Sequence, residues 1–255
     1  MSLLKDKKGM IVGATSGIGR AAATLFAKEG AEVVVIGRRA ELLESLVSEI
    51  KEAGGKAHYI VADIAKSDDI KRMTDEAQTL LGRLDFAFNN AGTIGNFAPI
   101  FDQSEADWDH TIGTNLKAVW LSIKEQATAM RAHGGAIVNT SSWLSNGGLI
   151  GSTAYSASKA GMDGIIRPAA LELAQYGIRI NNINPGGVDT EMTREAFQHD
   201  KQVLSTFAKS HPLGKLASSE EIAELAAYLL SDRARNITGQ AIFTDGGYAI
   251  AGQRG

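Results

Sequence analysis

The sequence predicts an α/β protein: a doubly wound sheet of seven mostly parallel strands, flanked by helices on both faces. Three observations carry this. Short β-branched runs alternate with longer helical patterns along the whole length of 255 residues. Several runs are apolar without a break, as strands covered on both faces require. The strand–helix–strand spacing suits right-handed crossovers and hence parallel pairing.

In chain order the predicted strands are GMIV (9–12), EVVVI (32–36), AHYIVA (57–62), LDFAF (84–88), AIVNT (136–140), IRINNI (178–183) and QAIFT (240–244). Helical stretches lie between them near 18–29, 40–53, 67–82, 103–131, 153–175 and 219–231. No linker, repeat or low-complexity segment intervenes, so one domain is expected over 1–255. Residues 189–217 show no strand pattern, and such a segment in a compact domain reads as a lid over a site.

Composition narrows the function. The net charge is −3 with no basic block, which argues against nucleic acid as partner. There is no cysteine, so thiol nucleophiles, disulfides and thiolate metal sites are excluded. The residues around Met1 lack a leader's apolar segment, and no apolar run reaches the ~18 residues of a membrane span. A soluble cytoplasmic protein without a membrane partner is expected.

Directly after the first strand comes GATSGIGRAAA, with Gly13, Gly17 and Gly19 around Thr15, Ser16 and Ile18. Glycine allows a tight turn and close approach of backbone to a phosphate. The helix that follows aims its first N–H groups and positive dipole end at the anion. Strand, glycines and helix in that order predict a Rossmann-like dinucleotide site. An acid at the end of the second strand would hold a ribose 2′-hydroxyl; here stand Gly37, Arg38 and Arg39. Guanidinium groups grip a 2′-phosphate that a carboxylate would repel, so NADP(H) is expected over NAD(H).

Further on, YSASK places Tyr155 and Lys159 one helical turn apart, on one face. A free phenol has a pKa near ~10, and a neighbouring ammonium is expected to lower it. Ser142 lies at the C-terminal end of the fifth strand, where open α/β sheets bind their ligands. A hydroxyl there can hold a carbonyl oxygen while the tyrosine protonates it.

With these pieces in place the chain resembles the short-chain dehydrogenases/reductases, in their single-domain branch. The matching segments are GATSGIG, ADI (62–64), NNAG (89–92), Asn115, Ser142 with YSASK, PGGVDT (185–190) and DGG (245–247). The resemblance implies that Tyr155 is the general acid/base, that Lys159 lowers its pKa and binds the nicotinamide ribose, and that Ser142 orients the substrate oxygen. It implies that Asn115 holds a water linking Lys159 to solvent. It places Asp63 and Ile64 at the adenine, and Asn90, Ala91 and Gly92 along the cofactor. Pro185, Gly186, Val188 and Thr190 fall on its nicotinamide side. It also implies a homo-oligomer, a tetramer pairing the 103–131 and 153–175 helices and, separately, the last strand with the 219–231 helix. Two departures stand out. Val12 replaces a usual threonine, which should cost the turn a supporting hydrogen bond. Ser16 stands where many NADP members carry a basic residue, so NADP preference falls to Arg38 with help from Arg39.

The substrate expected is a small ketone or secondary alcohol, in a pocket of Ile94, Ser142, Trp143, Leu149, Gly187, Met192 and Phe197. No metal site is expected. The histidines, among them His211, have no ligand spacing and read as ordinary polar residues. Trp108 and Trp120 read as packing, and the acids between Asp102 and Asp109 as a solvated helix start. A 3-oxoacyl carrier-protein reductase, needing a basic entrance, and a cofactor-binding sensor or scaffold without turnover are the alternatives.

Overall fold

A computed structural model describes residues 2–251. Seven strands form one sheet in the order β3-β2-β1-β4-β5-β6-β7, and every adjacent pair is parallel. They are β1 (Lys8–Val12), β2 (Glu32–Gly37), β3 (Lys56–Val61), β4 (Phe86–Asn89), β5 (Gly135–Thr140), β6 (Ile178–Pro185) and β7 (Ala241–Thr244).

The unbroken apolar runs have a simple cause. In β1, Ile11 enters one core while Met10 and Val12 enter the other; in β2, Val33 and Val35 oppose Val34 and Ile36. Successive side chains point to opposite faces, so both must be apolar when both faces are covered. One face is closed by α1 (Gly17–Lys28), α2 (Ala40–Glu52) and α9 (Ser219–Leu230). There Phe26 of α1 meets Phe86 edge-on at 5.6 Å between ring centroids. The other face is closed by α3 (Ser67–Leu81), α5 (Ala118–Met130) and α6 (Thr153–Ala174).

The long helical pattern at 103–131 resolves into three pieces: α4 (Glu105–Ile112), a π-helical turn (Gly113–Lys117) and α5. Ser104 caps α4 by accepting from the Asp107 N–H, and the nearby acids lie at this exposed start, as expected. The segment 189–217 contains two short helices, α7 (Glu191–Ala196) and α8 (Lys201–Lys209). Asp200 caps α8 by accepting from the N–H groups of Gln202 and Val203. Trp108 and Trp120 are 40% and 49% exposed, so they do not pack within the chain as expected.

Every segment singled out above follows the C-terminal end of a strand or lies on a helix packed beside it. Gly13 follows β1, Arg38 follows β2, Asp63 follows β3, Asn90 follows β4, Ser142 follows β5 and Gly186 follows β6. The topology therefore gathers them along one edge, with the crevice between β1 and β4, where the strand order reverses.

Candidate active site

The glycine turn is built for close approach. Gly13 has φ +87°, and a Cβ there would press on the main chain of Ala91. A Cβ on Gly19 would overlap the Gly13 carbonyl oxygen. α1 begins at Gly17, and Ser16 ahead of it makes no side-chain cap, which leaves the first N–H groups of the helix pointing into the crevice. Val12 supplies no hydroxyl, and the main chain does the joining instead: its carbonyl accepts from the N–H groups of Asn90 and Ala91, both at 2.9 Å. The Asn90 amide donates to the Gly13 carbonyl at 3.2 Å and accepts from Thr140 Oγ1 at 3.0 Å. Thr190, which caps α7 after β6, closes the circle, since a Cβ on Gly17 would lie 3.2 Å from its Cγ2.

Of the two arginines after β2, Arg39 reaches the turn. Its Nη2 donates to Thr15 Oγ1 at 2.6 Å and to Ser16 Oγ at 3.3 Å. Arg38 is exposed beside it. Asp63 sits in the turn after β3 and accepts from the Ala65 N–H, and Ile64 packs on the core below. Glycines that a Cβ would fill, an uncapped helix start and a flanking guanidinium fit a dinucleotide.

At the β5 end, Ser142 opens a short 3-10 turn, Trp143–Ser145, and its Oγ accepts from the Leu144 N–H at 3.2 Å. Tyr155 and Lys159 stand in the first two turns of α6, with the Tyr155 phenol hydrogen-bonded to Ser142. Lys159 Nζ lies 5.6 Å from the Tyr155 ring centroid and donates to the Thr140 carbonyl at 2.8 Å. Burial pushes the Tyr155 phenol above its ordinary value, partly offset by the Ser142 hydrogen bond. The expectation of a lowered phenol is thus not met: burial outweighs Lys159, whose ammonium is turned to a carbonyl. Burial also brings the Lys159 ammonium down to about 8, with the Asp163 carboxylate pulling the other way.

Asn115 occupies the π turn, fully buried. Its amide clamps Thr93 twice, accepting from the N–H and donating to the carbonyl, both at 2.8 Å. It also donates to Ser158 Oγ at 3.2 Å, and Ser158 in turn donates to the Tyr155 carbonyl. A π turn inside a helix frequently marks a functional site, and here it ties the Asn90–Gly92 loop to the start of α6.

The expected pocket residues divide. Trp143 is buried and meets Tyr248 edge-on at 4.6 Å. Phe207 packs on Tyr248 and touches Phe197, and Tyr155 lies against the same cluster. Ile94 is half-buried, while Leu149 and Met192 are about two-fifths exposed on the rim (40% and 41%). Gly187 is held under Phe207 and Leu216. The structure adds three contributors to those expected. Phe97 meets Tyr155 edge-on at 5.9 Å; Tyr248, just beyond DGG, could have been suspected from that motif alone. His211 is no ordinary polar residue. It is 2% exposed, its Nε2 accepts from the Gly187 N–H at 3.0 Å, and its Nδ1 pairs with the Phe207 carbonyl at 2.8 Å. A cavity of about 200 Å³ lies behind this clamp, between Gly187, His211 and Asp245.

A dinucleotide cradle beside a half-buried tyrosine and a buried lysine and serine defines a nicotinamide-dependent oxidoreductase of the doubly wound class. Residues 13–249 match the family model described as enoyl-(acyl carrier protein) reductase. The chain is 39% identical to a cyclohexanol dehydrogenase of Acinetobacter sp., covering 95% of each chain. It is 38% identical to a 3-oxoacyl-(acyl-carrier-protein) reductase of Thermotoga maritima, over 97% of this chain and 99% of the relative. The crystal structure of levodione reductase superposes with a TM-score of 0.94 at 32% identity, over 98% of this chain and all of that one (100%). The chain belongs to the short-chain dehydrogenase/reductase family, whose members use nicotinamide cofactors.

Proposed function

We propose that this protein is an NADP(H)-dependent reductase of small uncharged ketones, working in reverse on secondary alcohols. The observation that carries the reading is the meeting of Tyr155, Ser142 and Lys159 beside the glycine turn. The cofactor would lie along Gly13–Gly19, Asp63–Ile64, Asn90–Gly92 and Pro185–Thr190, and when bound it supplies the hydride. Ser142 would hold the carbonyl oxygen, and Tyr155 would give it a proton from the phenol oxygen. Lys159 would restore the tyrosine's proton and hold a ribose. Since the Asn115 side chain is committed to Thr93 and Ser158, a water link to solvent would fall to the main chain of the π turn. Arg39, with Arg38 free to swing beside it, would receive a 2′-phosphate.

The walls near Tyr155 support an uncharged substrate. Phe97, Trp143, Phe207 and Tyr248 are aromatic, and apolar walls leave a substrate carboxylate without a partner. The carrier-protein reading fits less well. Arg131 stacks on Tyr176 at 4.8 Å, at the end of β5 opposite the site. Arg167 is three turns along α6 from Tyr155.

The test is NADPH oxidation with aliphatic, aryl and cyclic ketones, using wild type and Tyr155→Phe. The variant should fold and bind NADPH, because only a hydroxyl is lost, and turnover should fall by ~10²–10⁴. A Tyr155→Phe protein that reduces ketones at the native rate would remove the tyrosine from the chemistry. A wild type that binds NADPH and turns over nothing would favour the sensor reading.

A further inference from the structure

A buried line of amides crosses the sheet beneath the site and ends on a carboxylate that the reaction scheme above does not use. Gln126 of α5 donates to Asn89 Oδ1 at 2.7 Å, Asn89 to Asn139 Oδ1 at 2.9 Å, and Asn139 to Asn182 Oδ1 at 2.9 Å. Asn182 then donates to Asp163 Oδ1 at 2.7 Å. From the same strand as Asn182, Asn184 donates to Asp163 Oδ2 at 2.7 Å and to Ser145 Oγ at 2.8 Å. The amides are at most 4% exposed.

The direction of this line is informative. An ionised carboxylate only accepts, so it obliges Asn182 and Asn184 to present their N–H groups, and each amide upstream must orient to match. Aligned bonds of this kind reinforce one another, and those to a charged acceptor are the strong ones. The line therefore commits both carboxylate oxygens of Asp163 as acceptors and fixes where they stand.

Asp163 stands one helical turn beyond Lys159 on α6, as Tyr155 stands one turn before it. The surroundings of Lys159 Nζ leave it little other charge. α6 offers Tyr155 and Asp163; β5 offers the neutral Thr140 carbonyl; the loop after β4 and the π turn offer Gly92 and Asn115. On its other side, Asp163 governs the end of the 3-10 turn that starts at Ser142, through Asn184 and Ser145.

We propose that Asp163 is a positioning residue for the reaction at Tyr155: its fixed negative charge keeps Lys159 an ammonium, and its bond to Asn184 steadies the turn that presents Ser142. This rests on the ketone-reductase reading. Without Asp163 only the neutral Thr140 carbonyl is left to offset the burial of Lys159. The lysine then loses its proton at lower pH, and the phenol loses the charge that favours its phenolate.

The test is Asp163→Asn in the full chain, which keeps shape and removes charge, with Ser145→Ala as the second variant. Turnover with NADPH and a ketone is measured first on wild type; its absence there fails the reading of the site. Given an active wild type, whose Lys159 sits at about 8, Asp163→Asn should lower turnover about twofold at pH 7 and about tenfold at pH 9 for each unit by which the lysine's midpoint falls. The midpoint of its alcohol-oxidation pH profile should move upward. Ser145→Ala should lower turnover less and leave that midpoint in place. Native turnover in Asp163→Asn, or lower turnover with an unmoved midpoint, overturns the proposal, the latter because a purely structural residue behaves so. If Asp163→Asn does not fold, native turnover and ketone KM in Ser145→Ala overturn it, and reduced turnover there supports it.

Discussion

Arg39 donates its guanidinium to Thr15 Oγ1 at 2.6 Å, bridging the end of β2 to the glycine turn after β1. The bond places a cation on the rim of the cradle, where a 2′-phosphate would sit and where an NAD site would carry an acid. The neighbouring Arg38 is exposed and makes no such bridge.

This relationship predicts an order of effects. Arg39→Ala should weaken NADPH binding by roughly 1.5–3 kcal/mol, the worth of a charged hydrogen bond, and leave NADH binding nearly unchanged. Arg38→Asp should also weaken NADPH, through repulsion. Fluorescence titration of both cofactors against both variants measures this. Equal affinity of the wild type for NADH and NADPH would refute the cofactor assignment.

Lys159 gives a prediction about stability against pH. Burial lowers its ammonium to about 8, so between that value and the unfolded lysine's pKa of about 10.4 the native state holds fewer protons than the unfolded one. Stability contributed by this group therefore rises with pH across that window, and below it the buried charge costs on the order of 3 kcal/mol at most. Lys159→Met removes that cost. Its melting temperature relative to wild type should be highest near pH 7 and should fall back as pH rises through 8 to 10. A constant difference across that range would show that the lysine is not protonated against a burial penalty. Cofactor affinity in the same variant should drop, since a ribose contact is gone.

The fold was largely legible because both faces of the sheet are covered. That condition writes itself as unbroken apolar runs, and the strands observed begin or end within two residues of those runs. The helix at 103–131 hid its π turn because Gly113–Lys117 carries no helix-stopping proline, and its one buried side chain is the polar Asn115. The sequence placed Tyr155, Lys159, Ser142 and Asn115 by motif, and the structure brings them to one edge. It could not show that Arg39 rather than Arg38 reaches the turn, since adjacent exposed residues differ only in side-chain direction. His211 escaped for another reason: its partner at Gly187 is a backbone N–H, which no side-chain pattern records. The direction of the Tyr155 shift is hidden from the sequence because charge proximity can be read from spacing and burial cannot.

Assembly is the next expectation. The surface offers apolar side chains on the two expected faces: Trp120 of α5 and Leu171 of α6 are 49% and 81% exposed, and Tyr228 of α9 and Phe243 of β7 are 37% and 38% exposed. Ala118, at the start of α5, is 2% exposed and belongs to the core, so it takes no part in these faces. Two separate apolar faces on one chain support two isologous contacts and a tetramer of two-fold symmetry. Light scattering at micromolar concentration should give four times the 27.0 kDa chain mass. Leu171→Asp should reduce it to a dimer, and a monomer mass for the wild type would exclude the assembly.

His211 sets the behaviour of the 189–217 segment. Its ring fastens α8 to the backbone after β6, accepting from Gly187 and pairing with Phe207, while stacking on Tyr248 at 4.4 Å. Neither α7 nor α8 contains a buried residue, and α7 is tied by its Thr190 cap and by the Arg194–Asp189 ion pair at 2.6 Å. A segment with few buried contacts opens at low cost, and one hinged on a single buried clamp can close over substrate as a unit. Amide exchange across 189–217 should be fast in the protein alone and slow when NADPH and a ketone bind. His211→Leu leaves the Gly187 N–H without its acceptor, at a cost of about 1–3 kcal/mol. Exchange in that variant should be fast in both states, with ketone KM raised more than NADPH affinity is lost. Equal exchange with and without ligands in the wild type would mean that α7 and α8 are a fixed surface pair and not a lid.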